Sequence, residues 1–290
     1  MGILLGLLTA LTWGGADFIA RFATHRMGAL RSMLYMQLTG FLLLSLLLPT
    51  LGGWGHLADG SGWQPWAWGF LAGSFNAVSG LALYRAFEIG KMAVVAPLSA
   101  SYPALTLLLS WMTGERLSMV RIAGIICTLV GVVVVAGGEK TPDENDAEAV
   151  RRSGRGISWS IFSAVGFAVL FWLLGIRVIP RVGAIQTVWM IRLTSAVLTA
   201  AVILISKQSV RLPRGEARWM ALGMGALDTS AFVLSNLGMK MEQVAVITVL
   251  SSLYGAVTVG LAAVFLKEHV SHWQWAGIVT IFAGIFLISR

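Results

Sequence analysis

Three ionisable side chains, Asp17, Arg192 and Asp228, lie inside long apolar stretches of the sequence. A charge in hydrocarbon is costly unless it is paired or reaches water, so such residues indicate functional cavities. Arg192 and Asp228 fall at similar predicted depth. They can form an ion pair that holds two helices together, or one that gates a cavity by exchanging partners with a substrate or a proton. Asp17 precedes Arg21 by one helical turn and can pair with it instead.

Neutral polar residues recur at matching positions in the two halves of the sequence. After a shift of 152 residues, Asn76 falls on Asp228. The same shift places two further polar residues of the first half, a serine and a tyrosine, on identical residues in the second. Such groups either hydrogen-bond neighbouring helices or face a central cavity. For Asn76 both interpretations stand, whereas recurrence at one depth favours the cavity for the serines and tyrosines.

Aromatic residues in the apolar stretches can line a pocket for an apolar solute, or pack against helices and lipid. We favour Trp13 as a pocket residue because it lies at mid-span beside Gly14 and Gly15. The residues predicted to line the cavity are Trp13, Asn76, Tyr84, Ser99, Tyr102, Trp172, Asp228, Ser251 and Tyr254. The predicted gating or ion-pair residues are Asp17, Arg192 and Asp228.

Membrane helices are the elements that must position these side chains. The chain is 57% hydrophobic and 12% charged, whereas a soluble domain carries about 25% charged residues. Apolar runs of about 20 residues mark spanning helices. They predict ten spans, at about 2–20, 32–50, 66–84, 93–112, 119–137, 155–174, 184–206, 217–236, 244–265 and 272–289. The predicted fold class is an all-α polytopic membrane protein.

The internal match divides the chain into two five-helix repeats. The predicted boundaries are 1–138 for the first repeat, 139–155 for a charged linker and 156–290 for the second repeat. A duplicated unit with an odd number of spans enters the bilayer in opposite senses, as in carriers that work by alternating access. We therefore expect spans 1, 3 and 4 and their mates 6, 8 and 9 to line a central cavity.

Proline and glycine distinguish particular spans. Pro97 and Pro103 should bend or break the fourth span, because proline lacks a backbone donor and clashes with the preceding turn. The ninth span carries Val249 and Gly255 instead, so the repeats should differ here. The fifth and tenth spans each hold a pair of glycines seven residues apart, a spacing that permits close packing of the two helices. These pairs are Gly124 with Gly131 and Gly277 with Gly284.

The distribution of basic residues predicts an orientation. Loops after odd-numbered spans hold 14 of the 21 Lys and Arg residues, and loops after even-numbered spans, with the C-terminus, hold six. The positive-inside rule then places the odd loops in the cytoplasm and both termini outside. The same pattern explains the net charge of +8 without a nucleic-acid partner. The expected partners are a small-molecule substrate and the bilayer, and one chain suffices as a monomer because the duplication supplies both halves.

The sequence lacks the motifs of enzymes and cofactor sites. It has no P-loop, no zinc-ligand spacing and no GxSxG, and Cys127 is its only cysteine. We therefore expect neither catalysis nor a cofactor, with transport driven by an ion gradient, by exchange or by the substrate's own gradient.

Several short motifs resemble the drug/metabolite transporter superfamily, and within it the EamA-type exporters. They are Trp13-Gly14-Gly15, Gly114-Glu115-Arg116-Leu117, and Arg121, Gly124, Gly131 and Val132, with Lys267-Glu268-His269, Gly277 and Gly284 as their second-half counterparts. The resemblance covers essentially the whole chain and implies a ten-helix exporter of small metabolites. The small multidrug branch has a buried glutamate in the first helix where this chain has Trp13, which argues against a proton-coupled cation pump of that type.

Together these features predict a transporter that exports small neutral metabolites across a bacterial-type inner membrane. Amino acids, including aromatic and apolar ones, are the leading substrates, because a zwitterion suits a cavity with neutral polar groups, rings and an ion pair. Three alternatives stay open: a multidrug or quaternary-cation exporter, an exchanger of phosphorylated sugars, and a membrane scaffold that transports nothing.

Overall fold

The computed structural model describes residues 1–114, 118–137, 147–241, 244–268 and 270–288, with side chains for all but 136–137, 147–153 and 244–245. These residues form ten helical segments, two of them interrupted, and no strand. The helices are α1 Gly2–Met27, α2 Ala29–Leu47, α3 Gln64–Ile89, α4a Met92–Ser99, α4b Tyr102–Met112, α5 Met119–Gly137, α6 Ala147–Leu173, α7 Ala184–Ile205, α8 Glu216–Met241, α9a Val244–Ser252, α9b Tyr254–Leu261 and α10 His272–Ile288.

Two helices extend through π turns. α6 continues through Leu174–Val178 and a short helix at Ile179–Val182, and α9b continues through Ala262–Leu266. α6 begins at Ala147, so the predicted linker 139–155 is helical in its second part, whereas residues 138–146 lie outside the described residues. α1, α2, α4, α6, α7 and α9 are long and apolar enough to cross a membrane, and α5 and α10 are shorter apolar helices.

The helices of the two halves pack against each other in matched pairs. α1 packs along α8, and its mate α6 packs along α3. α3 contacts α7 as α8 contacts α2, and α1 contacts both parts of α9 as α6 contacts both parts of α4. The pairs α2 with α7 and α5 with α10 are their own mates, and the contact of α4a with α9b matches that of α4b with α9a. When each helix is replaced by its mate from the other repeat, the same set of contacts results. This is expected for two repeats that are related by a pseudo-two-fold axis. The chain has the predicted all-α polytopic membrane fold.

Both the fourth and the ninth span are interrupted at mid-membrane. The break in α4 at residues 100–101 agrees with the two flanking prolines, but α9 is broken at Leu253 without one, so the predicted difference between the repeats is wrong at this point. In both breaks a serine bonds the carbonyl three residues earlier: Ser101 Oγ donates to Leu98 at 2.7 Å and Ser252 Oγ to Val249 at 2.7 Å. Such side-chain bonds compete with the regular helical pattern.

The glycine pairs of α5 and α10 hold these helices in close contact. A Cβ atom on Gly131 would lie 2.6 Å from the backbone nitrogen of Ile281, and one on Gly284 would lie 2.5 Å from that of Thr128. Any larger residue would collide with the backbone of the other helix, which confirms the predicted close packing. Cys127 lies in the same contact, with Sγ 3.4 Å from the carbonyl oxygen of Thr280.

The two ends of the bundle differ in which connections they hold. At one end α1, α3, α7 and α9 finish and α2, α4a, α8 and α10 begin. We name this the odd-loop end, and the positive-inside rule predicts that it faces the cytoplasm.

Candidate functional site

α1 and α9b approach closely beside Gly14, and this contact brings two aromatic residues together at the centre of the bundle. A Cβ atom on Gly14 would lie 2.5 Å from Cγ1 of Val257 and 3.3 Å from the carbonyl oxygen of Tyr254. Small residues permit such close helix contacts. The rings of Trp13 and Tyr254 consequently meet edge to face, with centroids 6.0 Å apart.

Three further rings complete an aromatic cluster around Trp13. Phe171 of α6 and Phe232 of α8 lie edge-on to the indole, at centroid distances of 5.8 and 5.1 Å. Phe171 also stacks on Tyr102 of α4b at 4.7 Å. Both repeats therefore contribute to one cluster. The faces of aromatic rings carry negative potential and attract cations as well as apolar groups.

The aromatic cluster surrounds a small cavity that also holds two carboxylates. The cavity is lined by Trp13, Asp17, Leu83, Tyr102, Phe167, Phe171, Asp228, Phe232 and Tyr254. These residues come from the six spans predicted to form it. The cavity volume is about 40 Å³, enough for water but far below the roughly 300–1,000 Å³ of small-molecule sites. A small organic molecule would therefore fit only if the surrounding helices moved apart.

Asp17 is the carboxylate without a partner. It is buried, and its Oδ2 atom has no hydrogen-bond partner among the described residues. It does not pair with Arg21, whose guanidinium instead donates to the carbonyl oxygens of Phe87 and Gly90. Because a buried charge is costly unless it is paired, an ionised Asp17 would need a compensating group that the described residues do not supply.

Arg192 and Asp228 form the ion pair that their predicted depths suggest. Arg192 Nη2 lies 2.6 Å from Asp228 Oδ2, and the arginine is fully buried. The N–H bonds of Nη2 do not point at the carboxylate, so the contact is a close ion pair without an aligned hydrogen bond. Arg192 also donates through Nη1 to Gln37 Oε1 at 2.9 Å and lies 5.0 Å above the ring of Phe232. The pair links α7, α8 and α2 behind the cavity wall.

The charges around the cavity do not balance. Asp17 and Asp228 line it, while Arg192 neutralises Asp228 from behind. With both carboxylates ionised the group carries one net negative charge, in a place where an uncompensated charge is unfavourable. A proton or a cationic group bound at Asp17 would restore neutrality.

Several predicted cavity residues lie elsewhere. Asn76 donates to Ser195 Oγ at 3.1 Å and so joins α3 to α7, as the hydrogen-bonding alternative expects. Trp172 points its Nε1 at Thr113 Oγ1, 3.4 Å away. Tyr84 is buried, but it is not part of the wall. Neither are two serines beside the helix breaks, which are buried with no hydrogen-bond partner among the described residues. These are Ser99 and Ser251.

Besides the wall residues Leu83, Phe167 and Phe171, two residues that contact Arg192 are missing from the predicted list. Phe232 is one of them, although it lies one turn after Asp228 on the same face of α8, a spacing that could have identified it. The other is Gln37, a fully buried residue of α2 that accepts the hydrogen bond from Arg192. Within the described residues, no group of three or more His, Cys, Asp or Glu side chains comes together as a metal site.

Comparisons with known proteins agree with this architecture. The profile of the EamA-like transporter family matches the chain twice, over residues 1–137 and 154–290. An uncharacterized protein of Methanocaldococcus jannaschii is 25% identical over 135 residues, which are 46% of this chain and 95% of that protein. A crystal structure of another protein aligns with 99% of this chain and 95% of its own chain, with a TM-score of 0.71 and 20% sequence identity. This likeness shows a shared fold. The chain belongs to the EamA-like transporter family.

Proposed function

We propose that the protein is a secondary transporter that exports small neutral metabolites, amino acids first among them, across a bacterial-type inner membrane. The family is one of membrane transporters, and the substrate class is inferred from the cavity. The observation that carries the proposal is Asp17, an unpaired buried carboxylate beside an aromatic cluster at the interface of the two repeats.

The cavity offers complementary groups to a zwitterion. An ammonium group would bind at Asp17, within reach of the ring faces of Trp13 and Tyr254. A carboxylate would compete with Asp228 for Arg192, whose guanidinium can bind a carboxylate through two parallel hydrogen bonds. The aromatic cluster would accommodate an apolar or aromatic side chain. Binding would thus exchange the internal ion pair for one with the substrate.

Alternating access explains how a cavity of about 40 Å³ can serve transport. In the present conformation the site is too small for such a substrate. Rocking of α1, α3 and α4 with α6, α8 and α9 would open it to one side of the membrane and then to the other. One chain supplies both repeats, so we propose a functional monomer.

A monovalent organic cation is the second candidate substrate, and the unbalanced charge of the cavity favours it. Two carboxylates, one guanidinium and several rings suit a single positive charge better than a neutral solute. Such a substrate would need Asp17 and would leave the pair between Arg192 and Asp228 intact. The two candidates therefore differ in their dependence on Arg192.

Counterflow in proteoliposomes tests the proposal. Vesicles are loaded with unlabelled amino acids, polyols or a quaternary cation, and uptake of labelled Phe, Thr and the cation is followed. We expect internal amino acid to accelerate uptake of labelled amino acid. Asp17→Asn should lower the exchange rate about tenfold, because it removes a charge-assisted hydrogen bond. Glu216→Gln, which alters an exposed ion pair with Arg26, should leave exchange within about twofold of wild type.

The other outcomes separate the alternatives. Exchange of the cation alone, lost in Asp17→Asn and kept in Arg192→Gln, would replace amino-acid export by cation export. If no solute is transported, although a thermal unfolding measurement shows that the protein is folded, the result would favour a membrane scaffold that transports nothing.

A further inference from the structure

Glu268 binds the start of a helix from the other half of the molecule. Its Oε2 atom accepts a hydrogen bond from the backbone nitrogen of Ala93 at 2.9 Å, and Oε1 accepts one from that of Met92 at 3.3 Å. These two residues begin α4a. The first N–H groups of a helix lack intrahelical partners and form its positive end. The carboxylate therefore caps α4a with both its charge and its oxygens.

Arg21 extends this contact to α1 and α3. Its Nη2 lies 3.9 Å from Glu268 Oε1, while its Nη1 donates to the carbonyl oxygens of Phe87 and Gly90 at the end of α3. Both charged side chains are mostly buried, 18% and 13% exposed. One carboxylate and one guanidinium thus tie α1, the turn between α3 and α4a, and the connection from α9 to α10.

This network lies at the odd-loop end, where α3 ends and α4a begins. α4a runs from Met92, where Glu268 binds, to the break that precedes Tyr102 of the cavity wall. Glu268 reaches it because α9b ends in a π turn and Lys267 takes a left-handed conformation, φ 51°. The contact joins the second repeat to the first at the point where a path to the odd-loop end would have to open.

We infer that Glu268 is the gating residue of the odd-loop end. The end is closed while its carboxylate holds α4a and Arg21, and it opens when the carboxylate leaves. This inference rests on the proposed transport by alternating access. Rocking of one set of helices against the other must break polar contacts that cross between the repeats at the closed end. Two charge-assisted hydrogen bonds in a mostly buried place make this contact strong enough to define the closed state.

Cysteine accessibility tests the gate without knowledge of the substrate. Cys127→Ser removes the native thiol, and Leu83→Cys places a reporter in the cavity wall. A membrane-impermeant thiol reagent is added to the odd-loop side of oriented vesicles, and the labelling rate is measured. Glu268→Gln should raise that rate about tenfold, the effect of losing one charge-assisted hydrogen bond. Glu216→Gln is the matched control at the same end, and it should leave the rate unchanged.

A second variant provides a test in case Glu268→Gln does not fold. Glu268→Asp keeps the charge but shortens the side chain, so its labelling rate should lie between those of wild type and Glu268→Gln. Each variant is compared with wild type by its thermal unfolding midpoint. Unchanged labelling in a folded Glu268→Gln or Glu268→Asp protein would overturn the gate. If Glu268→Gln is labelled faster but the protein exchanges no solute, the gating role of Glu268 stands and the proposed transport function is rejected. The experiment therefore distinguishes failure of the gating proposal from failure of the transport proposal.

Discussion

Arg192 is the largest fully buried side chain in the described residues, and charged, polar and aromatic groups contact its guanidinium. Asp228 supplies the opposite charge, Gln37 accepts a hydrogen bond, and the ring of Phe232 lies below the planar group. Removal of one partner of a buried ion pair leaves the other charge uncompensated, which costs more than the pair itself contributes. Because removing one partner costs more than removing both, the coupling between Arg192 and Asp228 can be measured with single and double substitutions.

A double-mutant cycle should show this coupling. Arg192→Met should lower the unfolding free energy by about 3–5 kcal/mol, because Asp228 then lies near the cavity without its cation. Arg192→Met combined with Asp228→Leu should recover most of that loss, since no charge remains to be neutralised. Reversible unfolding in mixed micelles measures both values.

The exposed pair between Arg26 and Glu216 provides the control for this cycle. Its side chains are 50% and 72% exposed, so Arg26→Met should change stability by no more than about 1 kcal/mol. Equal losses for Arg192→Met and Arg26→Met would show that Arg192 does not neutralise Asp228 in the membrane.

Single functional residues could be predicted from the sequence where a charged side chain lies inside a membrane span, because such a charge is energetically unfavourable. Asp17, Arg192 and Asp228 could be identified because charges are rare in spans. The structure places Asp17 and Asp228 in the wall of one cavity and Arg192 behind that wall, in contact with Asp228. Asn76 could not be assigned, since a buried amide suits a helix contact as well as a ligand, and its partner Ser195 lies in the other half of the chain. The network of Arg21 and Glu268 joins residues too far apart in sequence for any local pattern to reveal it.

Among the helices, the contact of α5 with α10 is determined by two pairs of glycines. Gly131→Ala would place a methyl group 2.6 Å from the backbone nitrogen of Ile281, so the helices must shift apart. We expect a loss of about 1–3 kcal/mol in the free energy of unfolding. Transport should survive, because neither helix lines the cavity. A thermal unfolding midpoint and a counterflow rate measured on the same preparation check both statements.

Gly260→Ala is the matched control for that substitution. Gly260 lies in α9b with no atom within 4 Å of its would-be Cβ. Alanine there should be neutral or stabilising by up to about 1 kcal/mol, because it reduces the freedom of the unfolded chain. A larger loss at Gly260 than at Gly131 would contradict the close packing of α5 and α10.

The spans themselves could be predicted because a membrane fixes their length and composition. Local breaks were harder to predict. The interruption of α4 follows from proline chemistry, whereas that of α9 depends on Ser252 and on the packing of Gly255, whose Cβ would lie 2.7 Å from Cβ of Ala100. A serine in an apolar run carries no signal strong enough to separate a break from a continuous helix.

At the scale of the whole molecule, every helix contact between the repeats described above has a counterpart or is its own mate. The cavity draws on both repeats, which one chain supplies. We therefore expect single copies to transport. When the protein-to-lipid ratio is lowered, the fraction of active vesicles should follow the Poisson distribution for one copy per vesicle. A threshold that requires two copies would reject the monomer.

The two π turns of α6 and α9 lie in the second half, and the described part of the first half has none. One topology is thus held in two shapes within a single polypeptide. If each repeat adopted the shape of the other, the molecule would become its own image turned over in the bilayer, with the opposite end sealed. The second state of the transport cycle would then need no third conformation of the repeat. Each half would only adopt the conformation that the other half has now.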